Sequence, residues 1–356
     1  MMFQEKLLNW YFNNHRKLPF RESHDPYRIW ISEIMLQQTQ MDTVIPYYER
    51  FMTTFPTVFD LAKASEEDVL SLWAGLGYYS RARNLHKCAQ VLVKGHKGKF
   101  PEVYQEALKL PGIGPYTAGA VLSIAYNKKV PAVDGNVLRV YSRLFNSHLD
   151  IGEMKNKKVI EKKIQQLIPD NARDFNQALM ELGALICLPK NPNCENCPLT
   201  NLCQAKALSI QNDLPVKRKK TKNKKIPIAV GIIKKHDKIM ITKASTALLN
   251  GLWGFPLSEG TNAENAKEQL LSYLRETLKN KISSIEMIGT TKHVFTHKTW
   301  MMTLYEITYP EQLKEEIKSH FDTEKKPDKD EIEWVSKNNL AKYPMATAFK
   351  KLLTIL

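Results

Sequence analysis

The chain changes character at residues 217–225, which read KRKKTKNKK. These nine residues hold seven basic side chains and no acidic one, nearly half of the net charge of +15 on 356 residues. Such a run cannot be buried, so it predicts an exposed segment, either a plain connector or a contact to a polyanion. The length fits about two domains. We therefore predict one domain over residues 1–215, a basic linker over 216–226 and a second domain over 227–356.

Composition excludes two broad classes of protein. Hydrophobic residues make up 43% of the chain, which is enough for packed cores and excludes wholesale disorder. No apolar run approaches the ~20 residues that a membrane span needs, and the N-terminus lacks the zones of a secretory signal. We therefore expect a soluble, cytoplasmic protein without a membrane partner.

The two blocks on either side of the linker differ in secondary-structure pattern. The first block has apolar residues at helical spacing throughout, including a predicted helix over residues 26–41, and no strand pattern before residue 225. The second block has short β-branched runs and one helical stretch, AENAKEQLLSYLRETLKN. The expected fold is therefore multidomain, with a mainly α-helical domain followed by a smaller α+β domain.

A glycine-containing turn, within LPGIGPYTAGA, separates two helical patterns at about residues 102–127. The glycines permit a sharp turn, and the helix that follows presents free backbone N–H groups that favour an anion. An ordinary helix–turn–helix corner is the alternative interpretation. The predicted phosphate-binding residues are Pro111, Gly112, Ile113 and Gly114.

Two acidic residues lie at positions suited to acid catalysis. Glu33 lies in the apolar stretch WISEIMLQQ, where burial should raise its pKa and make it a proton donor. Asp134 precedes the helical pattern GNVLRVYSRLF, where it should cap the helix and stay ionised beside the helix dipole. Such a pair suits cleavage of a glycosidic bond. The alternatives are a solvent-facing Glu33 and an Asp134 that only caps a helix.

Four of the five cysteines lie within 17 residues, at the spacing C-x6-C-x2-C-x5-C. In an intracellular chain this clustering predicts metal ligands rather than disulfides. Zinc also accepts four thiolates, but the x6 spacing fits its usual paired short spacings poorly. The predicted ligands are Cys187, Cys194, Cys197 and Cys203.

These features occur in the order and spacing of one family. SEIMLQQTQ, LWAGLGYYSRARNLHK, LPGIGPYTAGA, VDGN and FNQALMELGA resemble the adenine DNA glycosylases (the MutY family) of the helix–hairpin–helix, endonuclease III superfamily. The cysteine spacing resembles the superfamily's 4Fe–4S loop, here residues 187–203. GLWGFP and KHVFTHKTW resemble the family's Nudix-like C-terminal domain. The Glu-rich box of working Nudix hydrolases is absent, because Arg275-Glu276 has no Glu pair after it.

The resemblance implies a monofunctional repair enzyme that binds one 4Fe–4S cluster. It implies hydrolysis of the N-glycosidic bond of adenine opposite 8-oxoguanine or guanine in duplex DNA, by base flipping and general acid catalysis. Glu33 would donate the proton and Asp134 would stabilise the sugar cation, while Tyr116 packs and hydrogen-bonds near Asp134 and Asn136 helps to hold the site. Tyr116 replaces the lysine of the bifunctional relatives, so no strong Schiff-base step is expected.

The remaining contacts are implied by motif match. The adenine pocket would comprise Arg16, Phe20, Leu36 and Gln177. The mispair and 8-oxoguanine contacts would be Gln38, Thr39, Leu76, Tyr78, Phe295, Thr296 and His297. The sequence departs from the family at Thr296, commonly Ser, and at Phe20, commonly Trp. We expect a monomer at the bacterial nucleoid. A thymine-mismatch glycosylase of the same superfamily and a non-catalytic damage-binding protein are the alternatives.

Overall fold

The computed structural model describes residues 3–218, 223–244, 249, 251–279, 281–295, 298–309 and 331–354. The chain forms two compact units: Met1–Leu72 with Ser80–Lys220, and Trp73–Tyr79 with Thr221–Leu356. The sequence pattern did not predict that the short segment Trp73–Tyr79 groups with the second unit. The boundaries at residues 215 and 227 stay a prediction.

The first unit is helical. Within the described residues, no strand precedes Lys224, and no helix is long and apolar enough to cross a membrane. Its helices are α1 (Phe3–Asn14), α2 (Pro26–Leu36), α3 (Met41–Thr54), α4 (Val58–Lys63), α5 (Glu66–Trp73), α6 (Ser80–His96), α7 (Tyr104–Ala107), α8 (Pro115–Tyr126), α9 (Gly135–Leu144), α10 (Met154–Leu167), α11 (Ala172–Leu185) and α12 (Gln204–Ala207). Short 3₁₀ turns cover Pro19–Arg21 and Thr200–Leu202.

Helix α2 shows why local pattern alone misplaces an element boundary. Asp25 caps it by accepting from the Tyr27 N–H, and Pro26 fits its first turn. The helix ends at Leu36, and Gln38 adopts a left-handed φ of 56°. The predicted extension to residue 41 was therefore wrong, because the carbonyls of the last turn bind the distant Arg81 guanidinium.

The core of the first unit places the helices that carry the predicted site. Helix α2 lies against α8, and α8 lies against α11, which also contacts α1 and α9. Buried apolar residues of α1, α9, α10 and α11 form one cluster, and three of the four clustered cysteines pack against it. Burial of this apolar surface, at roughly 25 cal/mol per Å², is the main force that holds these helices together.

The second unit is a mixed sheet with helices. Its elements are β1 (Lys224–Lys235), β2 (Lys238–Lys243), β3 (Trp253–Gly254), β4 (Leu257–Glu259), α13 (Ala263–Thr277), β5 (Ser284–Val294), β6 (Lys298–Thr308), β7 (Ile332–Ser336) and α14 (Thr347–Lys350), with 3₁₀ turns at Lys337–Lys342 and Lys351–Thr354. The order is β3-β2-β1-β6-β5, with β4 beside β1 and β7 beside β2. Only the β1–β6 pair is parallel among the described strand pairs.

The core of the second unit lies between α13 and the sheet. Leu270 and Leu274 of α13 are fully buried in one cluster with Ile233 of β1 and Ile307 of β6. Strand β1 is buried continuously over residues 228–233, whereas β6 alternates between buried and more exposed residues, and both strands contribute apolar side chains to the cluster that this helix covers. The predicted fold class, a helical domain followed by a smaller α+β domain, is confirmed.

Candidate active site

Glu33 lies in the middle of α2 with only 8% of its surface exposed. The residues before and after it in the helix are buried as well. Because removal from water disfavours the charged form, burial raises the pKa of Glu33 to about 7. The predicted rise of this pKa is confirmed, and the carboxyl can hold a proton near neutral pH.

Tyr116, in the first turn of α8, contacts Glu33 directly. Its hydroxyl donates to Glu33 Oε2 at 2.5 Å and also lies 3.4 Å from Met180 Sδ. Burial and the charges of Glu33 and Asp134 raise the pKa of Tyr116 well above its ordinary value, so the hydroxyl stays protonated. We predicted that Tyr116 would hydrogen-bond near Asp134, but this hydrogen bond goes to Glu33.

Asp134 is the N-cap of α9, as predicted. Its Oδ1 accepts from the Val137 N–H at 2.8 Å, and its Oδ2 accepts from Asn136 Nδ2 at 2.7 Å. Burial raises the pKa of Asp134, although these hydrogen bonds oppose the rise. The helix N-terminus alone would have lowered it. Asp134 also raises the pKa of Glu33, so the two carboxyls interact.

Asn136 connects Asp134 to the residues before the cysteine loop. Its Oδ1 accepts from Arg139 Nη2 at 2.9 Å, and Arg139 also donates to the carbonyls of Gly183 and Cys187, at 2.7 Å each. A Cβ on Gly183 would lie 2.5 Å from the Asn136 Cβ. Only glycine therefore permits α11 to approach α9 this closely.

The four clustered cysteines lie near one another. Cys187, Cys197 and Cys203 pack against the core of the first unit, and all four cysteines interact electrostatically. Burial raises the pKa of the Cys197 thiol to about 12. No three His, Cys, Asp or Glu side chains in the described part of the chain are placed to hold a metal ion. The four thiols are donors of the kind that an iron–sulfur group takes.

The glycine-containing turn joins α7 to α8. Gly112 has a left-handed φ of 75°, and a Cβ there would lie 2.7 Å from the Asn84 Cβ. Gly114 has an extended backbone that any residue could adopt, so only one of the two glycines is required by conformation. No side chain caps α8 at Gly114, and its first amide groups therefore have no competing side-chain acceptor.

One predicted pocket residue, Arg16, binds a buried carboxylate that sequence reasoning missed. Glu181, 1% exposed, accepts from the backbone N–H and the guanidinium of Arg16, and from Arg21 Nη2 at 2.7 Å. Burial alone would raise the pKa of Glu181, but these hydrogen bonds hold it at about 2. The only signal in the sequence was an acidic residue in the apolar stretch FNQALMELGAL. Phe20 is buried, with its ring 5.7 Å from the Tyr48 ring.

The other predicted pocket residues lie on α2, which carries Glu33, and on α11, which contacts α8 and α9. Leu36 is the last residue of α2 and is half-buried. Gln177 is 8% exposed on α11, one turn before Glu181 and hence on the same face of that helix.

The predicted mispair contacts fall in both units. In the first unit, Gln38 is exposed and Thr39 is half-buried, in the turn after α2. In the second unit, Leu76 is 6% exposed, whereas Tyr78 is 46% exposed and has a left-handed φ of 50°.

Of the last three predicted contacts, the structure describes Phe295, which directly follows β5. The Phe295 ring lies 4.9 Å from the Trp300 ring, and the Phe295 N–H donates to the Lys298 carbonyl at 2.8 Å. The predicted contacts Thr296 and His297 lie outside the described residues.

Two known families match this chain. Residues 31–170 match the HhH-GPD superfamily of base excision DNA repair proteins, and residues 229–354 match the NUDIX domain. Two solved structures resemble the chain. A thermostable thymine-DNA glycosylase is 32% identical with a TM-score of 0.54, covering 58% of this chain and 95% of that one. A trapped endonuclease III–DNA covalent intermediate is 25% identical with a TM-score of 0.50, at the same coverages.

Curated relatives match across both units. An adenine DNA glycosylase of Buchnera aphidicola (subspecies Baizongia pistaciae) is 38% identical over 306 residues, which cover 84% of each chain. The Arabidopsis thaliana relative of the same name is 36% identical and covers 82% of this chain, and the Homo sapiens relative is 44% identical and covers 60%. The chain spans 54% and 41% of the length of those two relatives.

The helical fold, the buried Glu33 that Tyr116 holds and Asp134 influences, and the superfamily match define a DNA glycosylase of base excision repair, an enzyme that acts on DNA. A NUDIX-type domain follows its glycosylase domain. Within that class, the chain belongs to the adenine DNA glycosylase family.

Proposed function

We propose that this protein removes adenine opposite 8-oxoguanine or guanine in duplex DNA, by hydrolysis of the N-glycosidic bond. The observation that supports this proposal most is the buried Glu33, with its pKa raised to about 7 and its carboxyl held by Tyr116. Adenine is a poor leaving group unless a ring nitrogen is protonated. A carboxyl that keeps its proton near neutral pH is suited to that task.

Glu33 is the general acid in this mechanism. Tyr116 occupies Oε2, which leaves Oε1 to carry the proton towards the adenine ring. After the base departs, the Glu33 carboxylate activates the attacking water. The same Tyr116 hydroxyl then stabilises that carboxylate, so one contact serves both halves of the reaction.

Asp134 stabilises the sugar cation that develops as the bond breaks. Its two oxygens are fixed by the Val137 N–H and Asn136, which prevents rotation away from the sugar. A transient covalent bond to the sugar carbon, as in retaining glycosidases, is compatible with this role. Tyr116 replaces the lysine of bifunctional relatives, so the enzyme leaves an abasic site without a lyase step.

The target adenine is flipped into the helical domain, at a cost of a few kcal/mol that is lower at a mispair. Arg16, Phe20, Leu36 and Gln177 line its pocket, with Arg16 held in place by Glu181. The uncapped amides at the start of α8 bind one phosphate through the turn Pro111–Gly114. The proposed contacts to the orphaned partner base are Gln38 and Thr39, and the family resemblance implies the same role for Leu76 and Tyr78.

The second domain recognises 8-oxoguanine and hydrolyses no nucleotide. The sequence lacks the Glu-rich metal box, while Phe295, Thr296 and His297 occupy the family's contact loop. Thr296→Ala should therefore lower the preference for 8-oxoguanine over guanine opposite adenine. An unchanged preference would contradict this assignment.

Cys187, Cys194, Cys197 and Cys203 hold one 4Fe–4S cluster. Thiolates are the donors that such a cluster requires, and the packing of Cys187, Cys197 and Cys203 against one core supports the proposal. Bound by these four thiolates, such a cluster would cross-link residues 187–203. Iron and sulfide content near four each per chain, with broad visible absorption, would support this. One zinc per chain would refute it.

We assign the enzyme to the bacterial nucleoid as a monomer. Its DNA-acting family supports the compartment. Light scattering of the free protein at the mass of one chain, 41.0 kDa, would support the oligomeric state, whereas twice that mass would refute it.

Base release from defined duplexes tests the proposed reaction. Four duplexes carry adenine opposite 8-oxoguanine, guanine or cytosine, and thymine opposite guanine, and alkali reveals the abasic sites. We expect rapid release of adenine opposite 8-oxoguanine, slower release opposite guanine, and little from the other two. Thymine release would support the thymine-mismatch alternative, which the similar thymine-DNA glycosylase structure keeps relevant. Tight binding without any release would support the damage-binding alternative.

A further inference from the structure

Arg81, the second residue of α6, is buried at 9% exposure and binds the end of α2. Its Nη1 donates to the carbonyls of Ile34 and Met35, at 2.9 Å each, and to that of Gln37. These carbonyls lie at the end of a helix, where the regular intrahelical N–H partners run out, and that of Ile34 also accepts from the Gln37 N–H at 3.4 Å. Arg81 thus closes the helix that carries Glu33 from a position more than 40 residues away in the sequence.

The second nitrogen of the same guanidinium makes a different contact. Arg81 Nη2 donates to Thr39 Oγ1 at 3.1 Å. The Thr39 hydroxyl in turn donates to the Gln37 carbonyl at 3.4 Å. The buried Arg81 guanidinium therefore binds both Gln37 and Thr39, the two neighbours of Gln38.

The turn between them is conformationally strained. Gln38 has a φ of 56°, in the left-handed region that non-glycine residues rarely adopt. Such a residue persists only where its surroundings enforce it. The side chain of Gln38 is exposed, so the enforced turn presents it to a bound molecule.

We infer that Arg81 is a positioning residue for substrate discrimination, which acts by fixing the Gln38–Thr39 turn against the partner base of the flipped adenine. This inference rests on the proposed function, which places Gln38 and Thr39 at the mispair. The Glu33 carboxyl accepts from Tyr116, and the cation that lowers its pKa is Arg21. Arg81 therefore affects which duplex is processed and leaves the titration of the acid unchanged.

Arg81→Lys separates the two contacts. Lysine keeps the positive charge and three N–H donors for the helix carbonyls, but it has no second nitrogen for Thr39. The measured quantity is the single-turnover rate constant for adenine opposite 8-oxoguanine divided by that for adenine opposite guanine. We expect Arg81→Lys to lower this ratio at least fivefold. The pH midpoint of base release should stay unchanged. Arg83→Lys, two residues along α6 and paired with the exposed Glu66, should change that ratio less than twofold.

Thr39→Val removes the same contact without disturbing the buried guanidinium, so the inference stays testable if Arg81→Lys does not fold. If Arg81 acts through Thr39, the protein that carries both Arg81→Lys and Thr39→Val should have a rate ratio no lower than that of the more severe single variant. The inference would be overturned if the two substitutions lowered the rate ratio additively. It would also be overturned if they slowed release equally on both duplexes, or if they shifted the pH midpoint of base release. Wild-type protein that releases no adenine from either duplex would refute the proposed function, whereas normal wild-type release with unchanged ratios in the variants would refute this inference alone.

Discussion

Removal of the Tyr116 hydroxyl should make base release less sensitive to alkaline pH. Burial raises the pKa of Glu33 from 4.5 to about 7 even though the hydrogen bond from Tyr116 lowers it. Tyr116→Phe deletes only that lowering contribution. A hydrogen bond to a charged group is worth about 1.5–3 kcal/mol. At 1.36 kcal/mol per pH unit, the pKa of Glu33 should rise by about 1–2 units in the variant.

The sign of the effect on rate follows from the role of Glu33 as an acid. Its protonated form is the active one, so the wild-type rate should fall as pH rises through about 7. At pH 8 only about a tenth of wild-type Glu33 would carry its proton, against about half or more in the variant. The rate at pH 8, relative to each protein's own acidic plateau, should therefore be about five- to tenfold higher in Tyr116→Phe.

Single-turnover release of adenine from pH 5.5 to 9.5 measures both midpoints. Tyr126→Phe is the matched control, because it deletes a hydroxyl from the same helix that donates to the Phe100 carbonyl at 3.0 Å and not to Glu33. Its midpoint should equal that of the wild type. An unchanged or lowered midpoint in Tyr116→Phe would refute the assigned coupling between Tyr116 and the acid.

Three further predictions concern stability and DNA binding. Glu33 has a higher pKa in the folded than in the unfolded protein, so its ionisation destabilises the fold as pH rises from 4.5 to about 7. Glu33→Gln should therefore raise the free energy of unfolding by about 3 kcal/mol at pH 8 and change it little at pH 4.5. Urea unfolding at the two pH values measures this difference. Gly183→Ala should lower the free energy of unfolding by about 1–3 kcal/mol and slow base release, because the new Cβ would displace Asn136. Gly95→Ala is the control, since there is open space around its Cβ, and it should have neither effect. Neutralising the lysines of residues 217–225 should lower the salt slope of DNA affinity by about 0.9 per lost phosphate contact; an unchanged slope would make this segment a plain connector.

The elements that the sequence predicted well are those with strong local signals. The start of α2 follows from Asp25 and Pro26, and the N-cap of α9 follows from Asp134. The raised pKa of Glu33 follows from the apolar residues around it in the same helix. Each of these features depends on residues within a few positions of one another, so pattern and propensity suffice.

The features that the sequence did not predict depend on distant residues. Helix α2 ends early because its carbonyls bind Arg81, and no local pattern identifies that partner. The hydrogen bond of Tyr116 goes to Glu33, because α2 lies against α8. The buried Glu181 with its two arginines likewise joins segments about 160 residues apart. Tertiary packing, and not propensity, decides such contacts.

The central claim is that Glu33 is the acid that releases adenine, and one comparison tests it most directly. Wild type and Glu33→Gln are compared for affinity and for single-turnover release on a duplex with adenine opposite 8-oxoguanine. Gln keeps the size of the side chain but cannot donate the acid proton. We predict that Glu33→Gln binds this duplex as tightly as the wild type and releases adenine slower by orders of magnitude. Near-normal release by Glu33→Gln would contradict the account.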